Sequence, residues 1–569
     1  MQTFTAGIFS VGYLNGFLRY ISYGEVEVVR VIYMALRDQN WNTYQPIIEN
    51  EKVHKHANGF VIRYDCFHEL KGVRIFKWRV AITGNSDSEI IFEIEGEAIT
   101  DVLKNRAGLC ILHPIKFTAG APCEIIQPDG SKITDTFPVS ISAENPFKNI
   151  NVFRWKCRSD WYVLRFEGDV FETEDQRNWS DASYKTFCTP LEKPFPVLLK
   201  AGEKVHQKVI LKPEVALPTF PKKQNKSIDI VADDKVAALP AIGIAASTET
   251  DTLNEEAVQL IRDLNLSHYR IDVQPSDKNW FEKFALDSDQ AKALNLPLEI
   301  ALHISGPGDF EKFFKTWNET KPPVKQIILL NSNVPATGQD VISQAPSFKK
   351  LFPETLIGAG TDYNYRELNV HQFNGDLLDF ISYSIDPQEH ATDDLTIIEN
   401  IATQSDSVKS ARNIYGESKA IHISSLTLRK RFNPAATVAS DKFLSNELKA
   451  DPRQQTQFAA AFTLGSIKRL SFAEANSVTS YQTVGNQGII SASGKKYPVY
   501  DVLKEITEAG SHVIHTESSN PLICDALLVF NGQSYKLILV NFTGAQQRVV
   551  FKEQEYLLGP YEIKVESQS

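Results

Sequence analysis

The stretch PAIGIAASTETDTLNEEAVQLIRDLNLSHYRIDVQ, residues 240–274, decides the fold. Its apolar run Ala241–Ser247 has the length of a buried strand. The segment after it changes period, with Leu253, Ala257, Leu260, Ile261 and Leu264 falling on one helical face. Thr252 and Glu255 have the spacing of a capping box, in which a hydroxyl and a carboxylate satisfy free amides of the first turn. His268–Gln274 then reads as a second strand. Outward from this strand–helix–strand unit the alternation continues through Pro297–Ser305, Gln326–Ser332, Leu356–Asp362, Leu377–Ile385, Ala420–Leu428 and Ser477–Thr483. The intervals between them are helix-like. One helix opens with Asp451 as N-cap and Pro452 in the first turn, where a missing N–H costs nothing, and Tyr497–Glu508 supplies the last. Eight such units between residues 241 and 510 have the size of a (β/α)8 TIM-type barrel.

The flanks read differently. Residues 1–212 lack long amphipathic helices. Ile90, Phe92 and Ile94 alternate with Glu93 and Glu95, the period of a half-buried antiparallel strand. Val26–Ala35, Gly59–Cys66, Arg74–Thr83, Gly108–His113 and Trp161–Glu167 also read as strands, with turn signals such as Gly84-Asn85-Ser86 and Pro128-Asp129-Gly130 between them. An N-terminal β-sandwich domain is expected there. Residues 213–240, broken by Pro213, Pro218, Pro221 and Pro240, read as a linker. Residues 511–569 return to strands (Ala526–Phe530, Tyr535–Phe542, Gln547–Phe551, Tyr561–Val565) and form a small C-terminal β-sandwich, too short to hold a large core alone.

Composition narrows the function. The chain has 569 residues, 42% of them hydrophobic and 10% aromatic, enough to bury large cores. Sixty Lys and Arg against seventy Asp and Glu leave a net charge of −10, which argues against a nucleic-acid partner. No run reaches the roughly 18 apolar residues of a membrane span, and the N-terminus makes a poor signal peptide. Six cysteines without a CxxC pair are the usage of a reducing compartment. A cytoplasmic enzyme with no membrane partner is expected, and nothing in the sequence speaks to oligomeric state.

In a closed barrel the catalytic groups stand at the C-terminal ends of the strands. Those positions hold Arg270 and Asp272, His303, Asn331 and Asn333, Asp362 and Asn364, then Tyr383 and Asp386 leading to His390, then Thr427, Arg429, Arg431 and Asn433, then Tyr481 and Gln482. Many retaining glycosidases on this barrel carry a carboxylic acid after strand four and a carboxylate after strand seven. Here strand four ends in Asn and strand seven in Ser, Thr and Arg, which weakens that reading. The first strand has no histidine for a metal amidohydrolase, and neither metal nor cofactor is expected, although His303 and His390 are the types that would share an ion. Arg431 suits either ion pairs bracing the rim or a clamp for a sugar-acid carboxylate or an oxyanion.

The densest polar run lies outside the barrel: FEGDVFETEDQRNWSDASYKTF, residues 166–187. Six carboxylates, Glu167, Asp169, Glu172, Glu174, Asp175 and Asp181, stand among Arg177, Asn178, Trp179 and Lys185. A solvated hairpin is the plain reading. Against it, Phe171, Trp179 and Tyr184 are interleaved, and carboxylates crowded beside rings have the raised pKa of general acids and bases.

Several strings together resemble the D-apionate lactonase family: NRAGLCILHP (105–114), GAPCEIIQPDGS (120–131), the EDQRNWSDAS run, DPQEHATDD (386–394), SSLTLRKRFNP (424–434) and DPRQ (451–454). The resemblance runs in order from about residue 100 to 490. It implies an N-terminal β domain, a central barrel and a small C-terminal β domain. It also implies hydrolysis of D-apionolactone to D-apionate in bacterial breakdown of the plant sugar apiose. In one departure, the family tends to carry a glutamate after the tyrosine of strand eight, where SYQTVGNQG has Gln482. The expected reaction is opening of a small-molecule sugar lactone by general-base activation of water, with no cofactor. Glu172, Glu174 or Asp175 is the expected base and Arg177 the oxyanion partner, with His390 as a second base. Asn178, Trp179, Asp181, His303, Asp362, Arg431 and Gln482 would hold the sugar. The alternatives are a glycoside hydrolase of plant-type glycans and a catalytically altered carbohydrate-binding relative, for which Gln482 is the motive.

Overall fold

The computed structural model describes residues 1–218, 227–332, 334–436 and 442–568. Asn333 and the middle of the linker stretch, with Pro221, lie outside them. By internal contacts the chain forms two units. The first is chiefly Met1–Arg177 and Ala182–Gln224, and the second is Asn178–Asp181, Asn225–Pro434 and Phe443–Ser569.

The first unit is built from two nine-stranded antiparallel sheets sharing one apolar core, to which Ile62, Trp78, Phe92, Ile111, Trp155 and Leu164 all contribute. Each of the six strands legible in the sequence is present, most within a longer strand; Val26–Ala35, for example, lies inside Val26–Asp38. The hairpin Phe171–Asp175 and Ser183–Phe187 is fully buried rather than solvated.

In the second unit eight parallel strands close into a barrel: Ala241–Ala245, His268–Val273, Leu298–Ile304, Val324–Asn331, Leu356–Asn364, Phe380–Ile385, Ala420–Leu426 and Ser477–Val484. The first pairs with the eighth, which leaves no open edge. The interior admits large polar side chains because some positions are small. A Cβ on Gly243, in the first strand, would stand 2.0 Å from the ring of His268 in the second.

Two helix starts differ from the sequence reading. The first barrel helix is Glu255–Arg262, and its N-cap is Asn254, whose side chain accepts from the Ala257 amide at 2.8 Å. An Asx cap two residues inside the Thr252 box supersedes it. Asp451 caps only a 3-10 turn, Pro452–Gln455, and Thr456 caps the long helix Gln457–Phe472 that follows.

The C-terminal strands belong to one seven-stranded sheet, and its centre includes Ile228–Ala238 from the stretch read as a linker. That strand runs antiparallel to His512–Ser518 and parallel to Gln547–Phe551. Its Ile228 and Ile230 reach the core of the sheet, whereas the residues between them and beyond are exposed. The apolar signal is therefore two residues long, too little to be told from a linker. No helix among the described residues is long and apolar enough to cross a membrane.

Candidate active site

At the C-terminal ends of the barrel strands a cavity of about 480 Å³ opens, lined by Asp272, His303, Asp362, Arg431, Lys449 and the rings of Trp280, Tyr363 and Phe432. Its floor is continuous with a polar column inside the barrel. Glu299, fully buried on the third strand, accepts from Ser424 Oγ at 2.5 Å, from Thr479 Oγ1 at 2.7 Å and from the Gln326 amide. Ser424 in turn accepts from Arg270 Nη1 at 2.6 Å. Arg270 is 1% exposed, and its other terminal nitrogen donates to Asp272 at 2.9 Å and Asp362 at 2.7 Å. Arg431, reaching in from the loop after the seventh strand, donates to Asp362 Oδ1 at 2.7 Å and to Asp272 Oδ2 at 3.2 Å. His303 Nε2 stands 3.1 Å from Asp272 Oδ1.

The electrostatics follow from this column. Loss of hydration alone would raise the Asp272 and Asp362 carboxyls; the two guanidiniums override it and hold Asp362 below and Asp272 well below the usual carboxylate range. Burial would likewise raise Glu299, but His268, Arg270 and the hydroxyls of Ser424 and Thr479 bring it below its ordinary value. Burial lowers His268 to about 4, so it is neutral near pH 7. Glu299, Asp272 and Asp362 thus face two fixed cations, Arg270 and Arg431, and Lys449 on the cavity wall is a further cationic group that senses both aspartates. A proton-accepting imidazole beside a fixed anion is the arrangement of a general base.

Ligand atoms of Asp272, His303 and Asp362 lie within 4.8 Å of one another and could together hold a divalent cation. Both carboxylates, however, already accept from guanidiniums, which an ion would have to displace. Lys449, from the short helix Asn446–Lys449, lies over the Phe432 ring rather than in an ion pair with a described carboxylate. Burial and the neighbouring Arg431 lower its pKa.

A second group gathers around the loop after the sixth strand. His390 Nδ1 is 2.6 Å from Asp181 Oδ2, and Asn400 donates to Asp181 Oδ1 at 3.1 Å. Trp179 meets the His390 ring edge-on, and Asn178 accepts from Asn369 at 2.9 Å. Nearby, Asp386 is buried. Burial first, then Glu389, pushes its carboxyl well above the usual range.

Four further expected residues, Glu172, Glu174, Asp175 and Arg177, belong to the first unit. Asp175 accepts from Arg177 Nε at 2.9 Å and Nη2 at 2.7 Å, and Arg177 also donates to the carbonyls of Pro138 and Val139. Glu174 pairs with Lys185 at 2.9 Å, and Glu172 accepts from the Leu191 amide at 2.5 Å. Burial raises both Glu172 and Asp175. The structure therefore brings His303, Asp362 and Arg431 together, brings Trp179 and Asp181 to His390, and holds Glu172, Glu174, Asp175 and Arg177 in the first unit. Gln482 bonds to Thr248, accepting from its amide at 2.9 Å. Glu299, Ser424 and Lys449 escaped the sequence reading. Glu299 could have been found as an acid inside the strand Leu298–Ile304, where a buried charge demands partners; the helix of Lys449 has only four residues and no period.

Comparison with known proteins bears on this geometry. Residues 1–216 match the model of the D-apionate lactonase N-terminal domain, and residues 242–511 match that of the D-apionate lactonase TIM barrel domain. The chain belongs to the D-apionate lactonase family. A D-apionate lactonase of Brucella anthropi is 28% identical over 98% of this chain and 95% of its own length. Among solved structures, a family 51 α-L-arabinofuranosidase from Bifidobacterium longum covers 61% of this chain and 95% of its own at 12% identity and a TM-score of 0.41. A β-arabinopyranosidase covers 100% and 98% at 10% identity and a TM-score of 0.33. Both family models meet the cavity-bearing barrel and the sheet domain where the D-apionate lactonase resemblance placed them.

Proposed function

We propose that this protein is a hydrolase that opens a sugar-derived lactone, D-apionolactone by its family, in the cavity at the barrel mouth. The observation that carries the reading is the His303–Asp272 pair, 3.1 Å apart on the wall of that cavity. With Nε2–H donated to Asp272, Nδ1 holds the lone pair that takes a proton from water. The water oxygen attacks the lactone carbonyl carbon, and charge builds on the carbonyl oxygen. Lys449 and the cavity-facing edge of Arg431 are the cations for it. Collapse breaks the bond to the ring oxygen, which leaves with the proton held by His303, and the product is a hydroxy acid. Trp280, Tyr363 and Phe432 offer faces to the ring. The base is thus placed on His303 rather than on Glu172, Glu174 or Asp175, whose partners are internal to the first unit. The six thiols are buried and unpaired, which supports a cytoplasmic setting.

The glycoside hydrolase alternative has one observation in its favour, two carboxylates facing one cavity. It needs one of them protonated to donate to the leaving oxygen. Asp272 and Asp362 are both held ionised by guanidiniums, which supports lactone opening instead. Acid release from a panel of aldonolactones, set beside cleavage of p-nitrophenyl glycosides, separates the two. Lactone turnover above background without glycoside cleavage is expected, and the reverse pattern would sink the assignment.

A further inference from the structure

One wall of the cavity is a row of rings. Tyr363, Phe432 and Phe443 follow one another along it edge to face, with ring centroids 5.4 Å apart in the first pair and 6.4 Å apart in the second. The backbone builds the outer pair. Phe432 and Phe443 stand directly opposite each other in an isolated antiparallel bridge, and such a pair puts both side chains on one face. The middle ring adjoins the charged group: Arg431 and Lys449 lie over Phe432, 5.4 and 5.6 Å from its centroid, and Arg431 continues to Asp362 and Asp272. The last ring is bare. Phe443 is 70% exposed, and Val334, which lines the same cavity, is 44% exposed. Apolar side chains exposed singly need no explanation. Two on one cavity, one of them in ring contact with the residue that carries the cations, make a surface for a ligand to cover.

Size points the same way. A cavity of about 480 Å³ is in the range that takes drug-sized ligands, whereas a five-carbon sugar lactone has only about ten non-hydrogen atoms. We propose that Phe432 and Phe443 form an apolar subsite beside the reacting carbonyl, and that the protein also opens γ-lactones whose ring carries an aryl group. The aryl ring extends the row edge to face and covers Phe443, while the lactone carbonyl stays at Lys449 and Arg431. The reaction is the same. The water oxygen bonds to the carbonyl carbon, the bond to the ring oxygen breaks, and that oxygen leaves with the proton, so the product is an aryl-substituted hydroxy acid. This rests on the lactone-hydrolase reading and widens it to a second class of substrate.

Four lactones test it: γ-butyrolactone, its α-phenyl and γ-phenyl derivatives, and its γ-hydroxymethyl derivative as a polar counterpart. Each kcat/KM is divided by the hydroxide-catalysed rate of the same compound to remove intrinsic reactivity. The better phenyl lactone is expected to exceed both the parent and the hydroxymethyl compound by about tenfold or more, from the apolar area it covers and the ring pair it adds. In Phe443→Ala that advantage should shrink to within about threefold, and in Phe443→Tyr, which keeps the ring, it should persist. If Phe443 only holds the loop, Phe443→Ala will lower all four alike and leave the ratios intact, and the subsite is then wrong. Lactones opened with no phenyl preference, or with an equal gain from hydroxymethyl, overturn this inference alone. No opening of any lactone, aldonolactones included, overturns it together with the function on which it rests.

Discussion

The carboxylates of the first unit and Asp362 at the barrel mouth are buried alike and partnered differently. Around Asp175 the bonding is closed. Arg177 takes both carboxylate oxygens and ties the chain at Pro138 and Val139 to the hairpin, while Lys185 serves Glu174. Around Asp272 and Asp362 the bonding is open: one Asp362 oxygen has no donor among the described residues, and His303 stands beside Asp272 on the wall of a cavity. Closure makes a brace. An unfinished group beside a cavity has something left to do, and that separates chemistry from architecture where burial and acidity do not.

The sharpest way to break this comparison is to remove the histidine. His303→Gln keeps a polar side chain near Asp272 but cannot carry a proton. A fall in kcat/KM of about 10³-fold is expected, within the usual range for a lost general base, with an unchanged circular dichroism spectrum. The pH profile adds a second readout. A general base must be unprotonated to act, so an acid limb in the wild-type profile belongs to whichever group is the base. Asp272 is held ionised well below the usual carboxylate range and does not titrate across that limb. The acid limb should therefore vanish in His303→Gln. If it persists, the base is elsewhere, and His390 beside Asp181 is the next candidate.

How far the sequence foretold this depends on how the signal is distributed. The barrel was legible because each of its eight strands carries its own apolar run, and the ends of those strands named Arg270, Asp272, His303, Asp362 and Arg431 as positions. Their convergence was not legible. They lie as far apart in the chain as Arg270 and Arg431, and only closure of the barrel brings them within hydrogen-bond distance. The run 166–187 drew attention for the opposite reason, since its acids are adjacent in sequence. Adjacency in a strand sends neighbouring side chains to opposite faces, so a dense run disperses its charges, each to a separate partner. Trp179 and Asp181, which group with the second unit, stand beside His390.

A smaller effect sharpens the contrast through stability. Glu299→Gln and Asp175→Asn each remove a buried charge without changing shape. At neutral pH, Glu299→Gln should cost about 3 kcal/mol, as for other buried charged networks deprived of one partner. The pH dependences should have opposite signs. Glu299 sits below its unfolded value, so its contribution is present above about pH 4 and is lost as pH falls through the folded value. Asp175 sits above its unfolded value because burial outweighs Arg177, so its contribution is full in acid and declines as pH rises. Urea unfolding of both variants and wild type between pH 3 and 7 reads this directly. The gap to wild type should narrow in acid for Glu299→Gln and widen for Asp175→Asn; parallel gaps would mean that the two groups are electrostatically equivalent after all.

The least effect is expected at Gln482, where the family resemblance led to the expectation of a glutamate. A glutamine in place of a glutamate after Tyr481 looks like the loss of a base, yet the contacts of Gln482 do not depend on charge. Its Oε1 accepts from the Thr248 amide at 2.9 Å, and its Nε2 lies 3.2 Å from Thr248 Oγ1, a hydroxyl that can reverse its role and donate to a carboxylate. Gln482→Glu should therefore preserve the geometry and change kcat/KM by less than about threefold, within what one exposed hydrogen bond contributes. A gain of tenfold or more, with a new acid limb in the pH profile, would instead mean that the base of this family belongs on the eighth strand and that the open group around His303 only binds. The comparison between closed and open carboxylates would then have found the substrate pocket but not the proton acceptor.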